Sequence, residues 1–193
     1  MTKNKAKQKV NKKHIPLLVL AVVFNVFVFG VFFVIYQINE EFDLVSEKRI
    51  LFNQPNPEIL ADVNEMLEGY PMQSAAPYIA TQNRQVAAFL VAIAKKESAW
   101  GEHTPKLNGQ ECYNYWGYRG KRKRMGSGGH TCFDSQKDAV RTVSRRIRAL
   151  IRKGYDTPEK MVVWKCGSCT GPAAVGAEKW ISDVDLYYKK ISE

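Results

Sequence analysis

The chain has 193 residues, with 29 lysines and arginines against 19 acids, and 45% of it is hydrophobic. Six of the lysines fall in residues 1–14, which hold no acid, and residues 15–38 carry no charge at all. The rest of the chain holds 23 basic residues against the same 19 acids, a balance of +4. That excess is too small to argue for nucleic acid, and none is expected as a partner, although it suits a negatively charged cell-wall polymer.

In chain order, residues 1–14 form a basic tail expected on the cytoplasmic side, because lysines flank the inner end of a spanning segment. Residues 15–38 exceed the roughly 20 apolar positions that a membrane helix needs. The run ends in Tyr36-Gln37-Ile38-Asn39-Glu40-Glu41, without the small residues of a signal-peptidase site, so it reads as an uncleaved signal anchor. The chain beyond it is then expected outside the cytoplasm, attached to the cell membrane by a single pass. Residues 39–69 read as a juxtamembrane helical stalk, broken at Asn53-Gln54-Pro55-Asn56-Pro57. In its second part Asn56 is the N-cap and Pro57 the first helical position; Ile59, Leu60, Val63, Met66 and Leu67 make an apolar stripe, and Gly69 stops it. Residues 70–193 are expected to be the globular domain.

The run from Val86 to Gly101 organises that domain. Val86, Leu90, Ile93, Glu97 and Trp100 recur at helical spacing and share one face, so a carboxyl group stands where a core residue is expected. Desolvation and the negative end of the helix dipole both favour its protonated form. A carboxylic acid that keeps its proton is a candidate general acid. The bland alternative is an ordinary solvated glutamate where the helix emerges into water.

From Glu102 to Cys132 the helical period is lost, and glycine, tyrosine and basic residues mark an irregular or β-containing lobe. Within it, Lys121-Arg122-Lys123-Arg124 reads as a solvated loop tip. Ser135 then caps a helix with Asp138 three residues on. Ala139, Val140, Val143, Ile147, Leu150 and Ile151 form its buried stripe, and Gly154 ends it. Arg141, Arg145, Arg148 and Arg152 line another face, expected to meet solvent or acids within the fold. Thr157-Pro158 opens a short helix, interrupted by Cys166-Gly167-Ser168-Cys169. A last helix, 177–191, carries Trp180, Val184, Tyr187 and Ile191. The fold class is therefore mainly α with one small irregular or β lobe, preceded by one transmembrane helix.

Four cysteines in an exported domain point to disulfides, with Cys112–Cys132 clipping the lobe and Cys166–Cys169 closing a short loop. Zinc held by Cys112, Cys132, Cys166 and Cys169 with His103 or His130 is the alternative. One CxxC pair in an exported chain favours the disulfides.

The segment Ala92-Ile93-Ala94-Lys95-Lys96-Glu97-Ser98-Ala99-Trp100-Gly101 resembles the catalytic-glutamate helix of the lysozyme-like superfamily, as found in bacterial lytic transglycosylases and wall glucosaminidases. Tyr113-Asn114-Tyr115-Trp116-Gly117-Tyr118 is similar to the Asn-x-aromatic-Gly element of those enzymes. Phe133 to Val140 resembles their next helix start, and Trp180 to Ile191 their closing helix. The resemblance implies a lysozyme-like helical domain that cleaves the β-1,4 bonds of peptidoglycan glycan strands, with Glu97 as general acid and no cofactor or metal.

It further implies that Ser98, Asn114, Tyr115, Trp116, Tyr118 and Trp180 bind substrate, the aromatic rings by stacking on sugars. Two departures stand out: Trp180 occupies a place where such glucosaminidases often have a tyrosine, and the cysteine loop before it is unusual. Glu102, Glu111 and Asp134 are all available as a second carboxylate, and no spacing singles one out. Water or a sugar's own hydroxyl could therefore complete the reaction. The other function class is a lysozyme-like domain without catalysis that binds the wall or organises envelope assembly.

Overall fold

The computed structural model describes residues 15–52 and 54–193; the basic tail read at residues 1–14 lies outside them. The chain divides into two compact units, one ending at Phe52 and the other running from Asn53 to Glu193. The first contains helix α1, Ile15–Phe52. Its stretch Val22–Glu41 is long and apolar enough to cross a membrane, with a mean hydropathy of 2.0. The helix continues past residue 38, where the apolar run ends, to Phe52.

The second unit opens with α2, Pro57–Leu67. Asn56 caps it as expected, its side chain accepting from the backbone N–H groups of Glu58 and Ile59. Ile59, Val63 and Leu67 are buried in the core. This corrects the stalk reading of residues 39–69: α2 belongs to the globular unit, whose boundary lies near residue 53 rather than 70. An apolar stripe on an 11-residue helix needs a partner, and α2 finds it in the short helix α3, Ala76–Ile79, and in the α4 helix, Arg84–Ser98. Arg84 fastens the arrangement by donating to Asp62 at 2.6 Å.

The α4 helix is the centre of the fold. Asn83 caps it through Val86 N–H, and every residue from Val86 to Ala94 is buried. A helix apolar on all sides must be wrapped on all sides, which corrects the one-face reading. The α5 helix, Gln136–Ile151, and the α8 helix, Ala177–Ser192, supply much of the wrapping, α8 making the most extensive contact. Between α5 and α8 lie two single-turn helices, α6, Pro158–Met161, and α7, Val163–Cys166.

The lobe between α4 and α5 contains a two-stranded antiparallel hairpin, β1 (Lys106–Leu107) and β2 (Gln110–Glu111), paired Lys106 with Glu111 and Leu107 with Gln110. Its Asn108-Gly109 turn has φ of 52° and 80°, the left-handed pair that a two-residue hairpin favours. Disulfides join Cys112 to Cys132 and Cys166 to Cys169, so the cysteines pair as the first of the two alternatives proposed.

Candidate active site

Glu97 lies in the last turn of α4, where the central helix leaves the core, and its side chain is half-buried. The chain turns sharply after Ser98: Ala99, Trp100 and Gly101 have φ of 49°, 53° and 102°. Left-handed backbone is unfavourable for residues with a Cβ, so two consecutive instances mark a segment held by its surroundings. Trp100 N–H donates to Ala94 O, Met72 N–H to Trp100 O, and the Trp100 indole N–H folds back to Val91 O at 2.8 Å. The Lys95 ammonium covers the Trp100 ring at 4.1 Å from its centroid. Trp100 therefore stands just past the helix rather than on its face with Glu97.

Two contacts fix the Glu97 carboxyl. The Trp180 indole N–H, from α8, donates to Oε1 at 2.8 Å. Oε2 faces Gly117, where a Cβ would stand 3.0 Å from it, and Gly117 has φ of +62°. A glycine there serves both the turn and the close approach of the carboxyl. Among the described residues no protein donor reaches Oε2. The preceding residue, Lys96, pairs with Asp183 one turn along α8 from Trp180. The Lys96 ammonium beside Asp183 holds that carboxyl below the usual range, against a smaller opposing effect of burial.

The Gly117 segment is itself anchored. Ser98 Oγ shares its proton between Tyr115 O at 2.8 Å and Ala94 O at 3.1 Å. Asn114 Nδ2 donates to Tyr118 O and Thr131 O, both at 2.8 Å, while its Oδ1 accepts from Tyr118 N–H. Trp164, on α7, donates from its indole to Trp116 O at 3.0 Å and packs beside the Tyr118 ring. Gln136 reaches the Tyr115 hydroxyl at 3.1 Å. Burial pushes the Tyr115 phenol well above its ordinary value.

These placements correct the substrate-binding expectation for five of six residues. Tyr115 and Trp116 are 0% exposed, Asn114 and Trp180 1%, and Ser98 2%. Side chains so enclosed hold the loop and the carboxyl in position; they offer no face to a ligand. Tyr118 alone of the six is half-exposed beside Gly117. Sequence reasoning placed Gly117 in the Asn-x-aromatic-Gly element without giving it a role of its own and overlooked Trp164, although a tryptophan between a helix cap and a cysteine loop was a usable signal.

The carboxylates available as a second acid separate clearly. Asp134 is exposed and paired with Arg124, Glu102 is exposed, and Glu111 lies beside the Tyr115 hydroxyl with a buried Oε1 that meets no hydrogen-bond partner among the described residues. A shallow depression of about 580 Å³ runs along α8, lined by Asp183, Leu186 and Lys190 among others. Glu97 does not line it. Comparison of the chain with family models, with curated proteins and with solved structures gave no match.

Proposed function

We propose that this protein is a membrane-anchored glycosidase of lysozyme-like type that cleaves the β-1,4 bonds of peptidoglycan glycan strands, with Glu97 as the general acid. The observation that carries this reading is the hold on Glu97: Oε1 is taken by the Trp180 indole N–H, and Oε2 is turned toward the small Gly117 with no donor among the described residues. A carboxyl that accepts from Trp180 at one oxygen and meets no donor at the other, among the described residues, has one place for a transferable proton. In the reaction that proton passes from Oε2 to the glycosidic oxygen as the bond to the sugar carbon breaks, leaving an oxocarbenium-like centre. The resulting carboxylate then accepts a proton from the attacking group, either water or a hydroxyl of the same sugar.

The second reading, a wall-binding or envelope-assembly module without catalysis, is favoured by the burial of Tyr115, Trp116 and Trp180, since none of these rings lines a sugar subsite beside Glu97 as cleavage there needs, whereas a module can attach through its charged surface. Digestion decides between the two. Purified full-length protein is incubated with peptidoglycan, and the soluble fragments are read by mass spectrometry. New reducing or anhydro ends support the glycosidase; binding to the wall without released fragments supports the module.

A further inference from the structure

One edge of the exposed side of α5 carries a file of cations, with the exposed Arg146 standing outside it. Taken at 100° per residue, Lys137, Arg141, Arg145, Arg148 and Arg152 fall within about 80° of arc and extend over about 22 Å of helix. The opposite face, with Val140, Val143 and Ile147, is buried. Like charges spaced four residues apart repel, and of this file only Arg141 meets an acid among the described residues. Asp138 is the carboxylate at this helix, and it is engaged by Arg122 from the neighbouring loop and, at 3.4 Å, by Arg141. Among the described residues no carboxylate pairs with Lys137, Arg145, Arg148 or Arg152.

Arg148 is half-buried and donates to the neutral Gln82. Its guanidinium is held below its ordinary value by burial first, then by the nearby charges of Arg145 and Arg152. The helix thus keeps an uncompensated positive field. Docking of Arg122 on Asp138 and Thr142 also brings the basic loop around it, including the exposed Lys121 and Lys123, against the same helix.

We infer that this face of α5 binds a linear polyol-phosphate polymer, a chain of phosphodiesters without bases, independently of any chemistry at Glu97. A narrow file of guanidinium groups matches a chain of phosphates better than a plane of headgroups, because each guanidinium can hold one phosphate through paired N–H groups. A strand laid along the file meets its charges in succession at one-turn intervals.

The test uses full-length protein in phosphatidylcholine nanodiscs and a fluorescent synthetic poly(glycerol phosphate), with binding read by anisotropy across a salt series. The parent should bind with affinity that falls steeply as salt rises. The combined Arg141→Gln, Arg145→Gln, Arg152→Gln variant should lose at least about tenfold in affinity, and its salt slope should shrink by about 2, the share of three contacts. Glutamine keeps helix propensity, and circular dichroism checks the fold. Lys160→Gln with Lys189→Gln and Lys190→Gln, away from this face, should bind as the parent does. A salt-independent parent, or an arginine variant of unchanged affinity, overturns the proposal. So does displacement of the polymer at lower phosphate concentration by phosphatidylglycerol vesicles, which would make the partner a membrane, or by duplex DNA, which would make it nucleic acid.

Discussion

At Glu97 the question is what a side chain at the end of a buried helix is held for. Its carboxyl is neither free in solvent nor paired with a cation: one oxygen accepts from Trp180, and the other rests where only a residue without a Cβ fits comfortably. Trp180→Phe keeps most of the buried ring area but removes the donor. Turnover on peptidoglycan should fall about tenfold or more with little change in KM, since orientation of the acid is lost rather than substrate contact. Gly117→Ala should act from the other side. Its Cβ would press on Oε2 at a φ of +62°, so activity should fall together with about 1 kcal/mol of stability. Steady-state kinetics and urea titration of the two variants check both outcomes. Parent-like turnover in both would remove the significance of this geometry.

Among the elements, α4 is set apart by how it stops. Ala99 takes the left-handed position that glycine normally fills after a helix. Ala99→Gly should therefore stabilise the protein by about 1 kcal/mol, read as a higher urea midpoint; a lower midpoint would mean that the turn is unstrained. A second expectation concerns the start of α5. Arg122 is the main reason that the Asp138 carboxyl is held low, with burial opposing it. The folded state then binds fewer protons than the unfolded chain between the folded value and about 3.9. That stability is present above about pH 4 and disappears as pH falls through the folded value. Arg122→Gln should be less stable than the parent at pH 7, with the gap closing below about pH 4. A gap that does not change with pH would contradict this.

These elements also show what a sequence can reveal. Asn56, Ser135 and Thr157 are caps whose side chains bond the local backbone, so they were legible from a few neighbouring residues. The last helix and the stops at Gly69 and Gly154 followed from period and glycine alone. The orientation of Tyr115, Trp116 and Asn114 did not, because the lobe has no repeat and its inside is defined by distant partners such as Leu90 O, which accepts from the Trp116 indole. For the same reason α2 read as part of a stalk: its apolar stripe was visible, but the α3 and α4 surfaces that cover it lie in later sequence.

For the whole molecule, the proposed membrane tether rests on the stretch Val22–Glu41, long and apolar enough to span, ahead of the unit beginning at Asn53. The lysines before residue 15 should keep the N terminus inside, so alkaline phosphatase fused after Glu193 should be active in cells. An inactive fusion would reverse the orientation and remove the wall from reach. The central claim is catalysis by Glu97, and Glu97→Gln tests it most directly. A glutamine retains an oxygen to accept from Trp180 and fits the space beside Gly117, so the fold should survive while the transferable proton is lost. General acid catalysis is worth about 10²- to 10⁴-fold. Release of glycan fragments from peptidoglycan should fall by at least about 10²-fold at unchanged circular dichroism and unfolding midpoint. Release at the parent rate by the folded variant, or no release by the parent on any wall preparation, would contradict the account.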